Sequence, residues 1–136
     1  MKSPVPSQVL TGDTERIRKH SFTRWMTPEL LQATTDFSKN IGLVPIYAEH
    51  APDYSGRYLF WSPPQDARFE VRSGRTEEQF REFDQANIKR GWPLLSLHIN
   101  ENDIHSAVWI SPNHYETAAA ILAFYGITPA QRATGA

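Results

Sequence analysis

Hydrophobic positions along this chain change period at regular intervals, and the changes come twice in the same order. Leu30, Leu31, Thr34, Phe37 and Ile41 recur at helical spacing, as do Phe80, Phe83, Asn87 and Ile88, so each set should lay one stripe on a sheet. Matching signals bracket both stripes. Thr27 precedes a proline at the first helical position, and Thr76 stands three residues before Gln79, which predicts an N-cap in one case and a capping box in the other. Gly42 and Gly91 then stop the helices, because glycine enters the left-handed conformation without a Cβ penalty.

Short strand patterns surround each helix. "RIRKHSFTRW" (16–25) and "RFEVRS" (68–73) come before, while "LVPIYAEH" with "SGRYLFW", and "WPLLSLHI" with "DIHSAVW", come after and flank polar loops. Thr27 and Thr76 are 49 residues apart, and Trp61 and Trp109 are 48 apart. The unit is β-α-β-β, occurring at 15–61 and 68–110, with "SPPQDA" (62–67) as a linker whose prolines forbid helix. A last helix over 111–126 places Tyr115, Ala118, Ile121, Leu122 and Tyr125 on its apolar side, for docking on the second unit or on a partner. The expected fold class is α+β: two tandem βαββ repeats forming a curved antiparallel sheet, or two sheets packed as a half-barrel, with helices on the outer face and the C-terminal helix closing one edge. Residues 1–14, rich in Pro, Ser and Thr, are expected to form a flexible arm, and 15–136 a single domain.

Composition narrows the function classes. A chain of 136 residues with 40% hydrophobic content suits one core. A net charge of −1 carries no broad footprint for nucleic acid or an anionic membrane, and the local cluster Arg16, Arg18, Lys19, His20 and Arg24 reads as a solvated strand end. The absence of cysteine excludes disulfides, thiolate zinc sites and cysteine nucleophiles. No apolar run approaches the ~20 residues needed to span a bilayer, and no signal-peptide pattern is present, so a cytoplasmic location is the default expectation. No cofactor and no metal site are expected.

The segment "FEVRSGRTEEQFREFDQANIKRGWPLLSLHINENDIHSAVW" (69–109) resembles the polyglycine hydrolase-like structural repeat, also called bacterial tandem repeat domain 1, at Val71, Arg72, Thr76, Phe80, Gly91, Pro93, Ser96, Ala107 and Trp109. A second copy over 22–61 keeps Thr27, Gly42, Pro45 and Trp61. In that family such repeats form the noncatalytic portion beside a β-lactamase-like serine hydrolase domain, or occur in tandem. The chain has no S-x-x-K motif, so the resemblance implies the fold of the repeat without the peptidase activity.

The chemistry-bearing stretch is "SLHINENDIHSAVW" (96–109). A hairpin turning at Asn100–Asp103 with Glu101 and Asn102 at its tip places Ile99 opposite Ile104 and His98 opposite His105. Such a pair suits an acid/base dyad or two metal ligands, with Asp103 nearby. The first unit places Glu49 and Arg57 in the same slot, an ordinary polar cross-strand pair. Nearer the base of the same faces lie Tyr47 and Trp61 in one unit and Ser96 and Trp109 in the other, an aromatic lining suited to a ligand.

Two functions compete on these residues. One is a noncatalytic binding or scaffold module presenting this aromatic sheet face to a small-molecule ligand or protein partner, through Tyr47, Trp61, Ser96 and Trp109. The other is a small acid/base enzyme of lyase, isomerase or cyclase type, with His98, His105, Glu49 and Arg57 in a cleft between the units. A homodimer built on the apolar segment 118–125 is a third reading.

Overall fold

A computed structural model describes residues 20–63 and 67–130; the expected arm over 1–14 and the middle of the linker lie outside the described residues. The described elements are β1 (His20–Phe22), α1 (Pro28–Ser38), β2 (Val44–His50), β3 (Gly56–Trp61), β4 (Phe69–Arg75), α2 (Glu77–Lys89), β5 (Leu94–Ile99), β6 (His105–Ile110) and α3 (Tyr115–Phe124). The molecule is α+β, and among the described residues the strands form two three-stranded antiparallel sheets rather than one continuous sheet. Their strand orders are β1-β3-β2 and β4-β6-β5.

The helix boundaries follow the capping residues. The Thr27 hydroxyl accepts from the Leu30 amide, and Thr76 and Gln79 form a complete capping box, satisfying donors that the first helical turn leaves unpaired. Gly42 and Gly91 take φ of 74° and 81°, which lets the chain leave each helix. The apolar stripes stop short of their last positions: Ile41 and Ile88 are 48% and 45% exposed. Ile41 lies in a 3-10 turn (Lys39–Ile41), off the helical phase, and the buried face of α2 centres on Asn87.

The sheets pack together across a core that contains Ile46, Leu59, Leu95, Val108 and Ile110, with β2 in contact with all three strands of the second sheet. A smaller cluster of Leu94, Ala107 and Trp109 lies beneath Phe80 and Phe83 of α2. The last helix contributes buried Ala118 and Leu122 and contacts both β2 and β5, leaving Phe124 exposed. A 3-10 turn (Pro112–His114) precedes it, with no side-chain cap.

Irregularities in the ladders free two carbonyls, one of which adds a bond between the two sheets. Pairing of β2 with β3 skips Ile46, and pairing of β5 with β6 skips Leu95. Each skipped residue has a carbonyl that finds its partner elsewhere: Ile46 accepts from the Ser96 hydroxyl at 2.9 Å, and Leu95 accepts from the Ala130 amide at 2.9 Å. Among the described residues no helix is long and apolar enough to cross a membrane.

Candidate functional site

The histidine hairpin closes one residue differently from the sequence expectation. The Asn100 amide donates to the Ile104 carbonyl and the Asp103 amide to the Asn100 carbonyl, which makes a three-residue loop ending in left-handed Asp103 at φ 64°. The extra loop residue shifts the register, so His98 faces Ser106 and Ile99 faces His105. A one-residue slip sends side chains to opposite faces, and the two histidines are therefore not neighbours. His105 packs under α2 with its ring 5.5 Å from Phe80, whereas His98 turns to the first sheet with its ring 6.3 Å from Tyr47.

The first hairpin has the same loop, with left-handed Tyr54 at φ 73° between Ala51 and Ser55. Glu49 faces Arg57 as expected, and Arg57 Nε donates to Glu49 Oε2 at 2.7 Å. The residue matching Arg57 in the second hairpin is Ser106, not His105, since Ser106 is the one opposite His98. Tyr47, Glu49, Arg57 and His98 gather near the hairpin tips. The Tyr47 hydroxyl donates to Glu49 Oε1 at 2.9 Å. Burial, then the Glu49 bond and charge, push the Tyr47 phenol well above its ordinary range, with Arg57 opposing. Arg57 stacks on Phe22 and on exposed Trp25. His98 Nδ1 is buried with no hydrogen-bond partner.

Tyr47, Trp61, Ser96 and Trp109 are all buried, Trp109 completely. The two tryptophans do not share a cavity. Trp61 belongs to the main core, with its ring 6.2 Å from His114, while Trp109 stacks on Phe80 and donates its Nε1 proton to Asp84 at 2.9 Å.

His50, not among the residues singled out from the sequence, lines a cleft between α1 and β4. Its Nδ1 lies 2.8 Å from Ser73 Oγ, and Ser73 Oγ is 3.4 Å from Ser106 Oγ. Gly74, at φ 72°, brings the β4 backbone against the imidazole: an added Cβ would stand 3.1 Å from His50 Nε2. Asn100 Nδ2 donates to the His50 carbonyl at 3.1 Å. Burial, reinforced by nearby His98 and opposed by Asp53, lowers the His50 pKa from its ordinary value and favours the neutral ring. The signal that could have found this place is Gly74, directly after the strand pattern at 68–73, since a glycine within a strand marks a bulge or a close backbone approach.

The cleft measures about 520 Å³ and runs between α1 and β4. Leu31, Thr35 and Lys39 form the helical wall, Tyr58 and His50 lie at its base, and all of Phe69–Arg75 line the other side. A second cleft of about 600 Å³ shares Lys39 and Phe69 with it and continues toward Arg68 and Trp92. A shallower space of about 400 Å³ lies between the hairpin tips, beside Trp25 and His98.

Positive charge borders the long cleft. Arg72 donates to Glu70, which also pairs with Arg90, but no described acid forms an ion pair with Lys39, Arg68 or Arg75. Arg75 Nε is buried without a partner, and its guanidinium lies 5.3 Å from the centre of the Phe83 ring. Among the described residues no group of three or more His, Asp or Glu side chains is arranged to hold a metal ion. Comparison of the chain with family models, curated proteins and solved structures finds no significant match.

Proposed function

We propose that this chain is a noncatalytic binding module whose ligand or protein partner occupies the cleft between α1 and β4, rather than an aromatic sheet face. The observation that carries the reading is the cleft itself, about 520 Å³ in volume and bordered by Lys39 and Arg75, neither in an ion pair with a described acid, while Glu70 in the same lining is taken up by Arg72 and Arg90. That volume lies within the range of ligand sites, roughly 300–1,000 Å³. The aromatic residues first considered for this role are buried, at 8% exposure for Tyr47, 5% for Trp61 and 0% for Trp109, and offer little surface to a ligand.

Two βαββ units in tandem agree with this reading. Strand order, helix caps, loop conformations and skipped ladder residues all recur 49 residues on: Thr27 with Thr76, Ile46 with Leu95, Tyr54 with Asp103. The resemblance to the polyglycine hydrolase-like repeat points the same way, since that repeat accompanies a catalytic domain without supplying its chemistry. Titrating the isotope-labelled protein with small anions and peptides, followed by amide NMR, tests the proposal. Responses along 69–75 and 28–39 support it, and responses confined to the hairpin tips around Trp25 and His98 defeat it.

The enzyme reading keeps one specific observation in its favour, which is His50 within 2.8 Å of Ser73. A neutral imidazole so placed accepts a hydroxyl proton, as a nucleophile–base pair requires. No described acid hydrogen-bonds the other ring nitrogen, and Nε2 packs on Gly74 instead, so the base lacks an orienting third group. Turnover of a small molecule that vanishes in a folded His50→Gln variant would replace the binding reading with this one.

A further inference from the structure

We infer that the cleft receives an acidic peptide segment in extended conformation, added as a strand alongside β4. The inference rests on the binding-module reading and names the partner's chemistry. Its first support is topological. Among the described residues, in the order β4-β6-β5, β4 is an edge strand, with β6 on one side only. Such an edge offers unpaired amide and carbonyl groups to an incoming chain.

The lining of the cleft shows that it follows this edge. Alternate residues of a strand point to opposite faces, so a cavity over one face would meet only every second side chain. Here every residue from Phe69 to Arg75 lines the cleft, both those turned to the core, such as Val71, and those turned to α2, such as Arg72. The space therefore lies beside the strand, with α1 as its far wall. An extended peptide between a strand edge and a helix has main-chain bonds on one side and side-chain contacts with Leu31 and Thr35 on the other.

The bulge in β4 sets the length of the run. The pairing with β6 is regular from Phe69 to Arg72 and shifts before Arg75. Four residues at about 3.3 Å each give a docking run of about 13 Å. Beyond it the chain turns at Gly74, and Arg75, whose buried Nε has no hydrogen-bond partner, completes the lining of the groove.

Charge selects the occupant. Lys39 stands toward the Phe69 end, where the two clefts meet, and Arg75 closes the other end. Acidic side chains on the peptide would satisfy both, and a carboxylate is the natural acceptor for a guanidinium N–H lacking one.

The test uses the full chain, isotope-labelled, and the peptide acetyl-Glu-Val-Glu-Val-Glu-Val-Glu-amide. Three comparisons accompany it: the same peptide with lysine for glutamate, the same peptide N-methylated at alternate amides, and inorganic phosphate alone. The expected result is a set of amide shifts at Phe69–Arg72 with slowed hydrogen exchange there, and affinity at least about tenfold above that of the lysine and N-methylated peptides. Arg75→Gln and, independently, the exposed Lys39→Gln should each weaken the acidic peptide several-fold. Equal affinity for the N-methylated peptide overturns strand addition. Phosphate moving the groove resonances while no peptide does so overturns strand addition and leaves the binding-module reading standing. Groove resonances indifferent to every probe overturn both.

Discussion

The imidazole of His50 at the end of β2 is held against β4, its Nδ1 2.8 Å from Ser73 Oγ and its Nε2 facing Gly74. Because burial and His98 lower the His50 pKa in the folded protein, folding favours the unprotonated ring, while Asp53 pulls the other way. The unfolded chain then binds more protons between the lowered folded value and the ordinary value near 6.5. This contribution to stability is fully present above about pH 6.5 and is lost as pH falls through the folded pKa. Urea unfolding from pH 7.5 to 4.5 should show the loss, and His50→Gln should flatten the part of the curve just below pH 6.5. An unchanged slope in that variant would assign the acid sensitivity to other groups.

Gly74 and Gly91 share a left-handed backbone but not a setting. An added Cβ at Gly91 meets nothing within 4 Å, whereas at Gly74 it meets the His50 ring at 3.1 Å. Both alanine variants carry the conformational cost, about 1–2 kcal/mol. Gly74→Ala should lose more than Gly91→Ala in chemical denaturation, and its His50 ring resonances should move. Equal losses would mean that the imidazole yields freely and that Ser73 does not fix it.

How far the sequence reached depends on whether a feature is local. Thr27, Thr76, Gly42 and Gly91 act within a few residues of themselves, so helix starts and stops were legible. Ile41 and Ile88 were not, because whether the end of a stripe is covered depends on what packs there. The hairpin register failed on a single residue. Asp103 enters the left-handed region without a glycine to mark it, and the resulting three-residue loop separates His98 from His105. The same loop in the first hairpin, with Tyr54 in that role, was equally silent. Of the proposed catalytic set, Glu49 and Arg57 meet and His98 joins Tyr47, since three of these positions rest on alternation along β2 and β3. His50 and Ser73 are brought together by the packing of β2 on β4, a relationship no local pattern encodes.

The Ser96 hydroxyl is another contact between the sheets, donated to the Ile46 carbonyl that the β2–β3 ladder leaves unpaired. Both residues are buried, so water cannot replace the bond. Ser96→Ala should destabilise the fold by about 1–3 kcal/mol, the range for stranding a buried polar group. Ser96→Thr should not rescue it, since an added methyl has little room at a position 1% exposed. A denaturation midpoint within error of the parent would show that the carbonyl finds another donor.

Trp109 separates a core role from a ligand-binding one. Fully buried, it stacks on Phe80 with ring centres 5.9 Å apart and donates to Asp84. Trp109→Phe keeps a ring over Phe80 and loses the indole N–H, so stability should fall by about 1.5–3 kcal/mol, as for a hydrogen bond to a charged group. The cleft between α1 and β4 contains no part of this side chain. Affinity for an acidic peptide, measured where the variant remains folded, should therefore match the parent. A variant that kept its stability but lost that affinity would return Trp109 to the binding surface and move the site from the β4 edge to the face beneath α2.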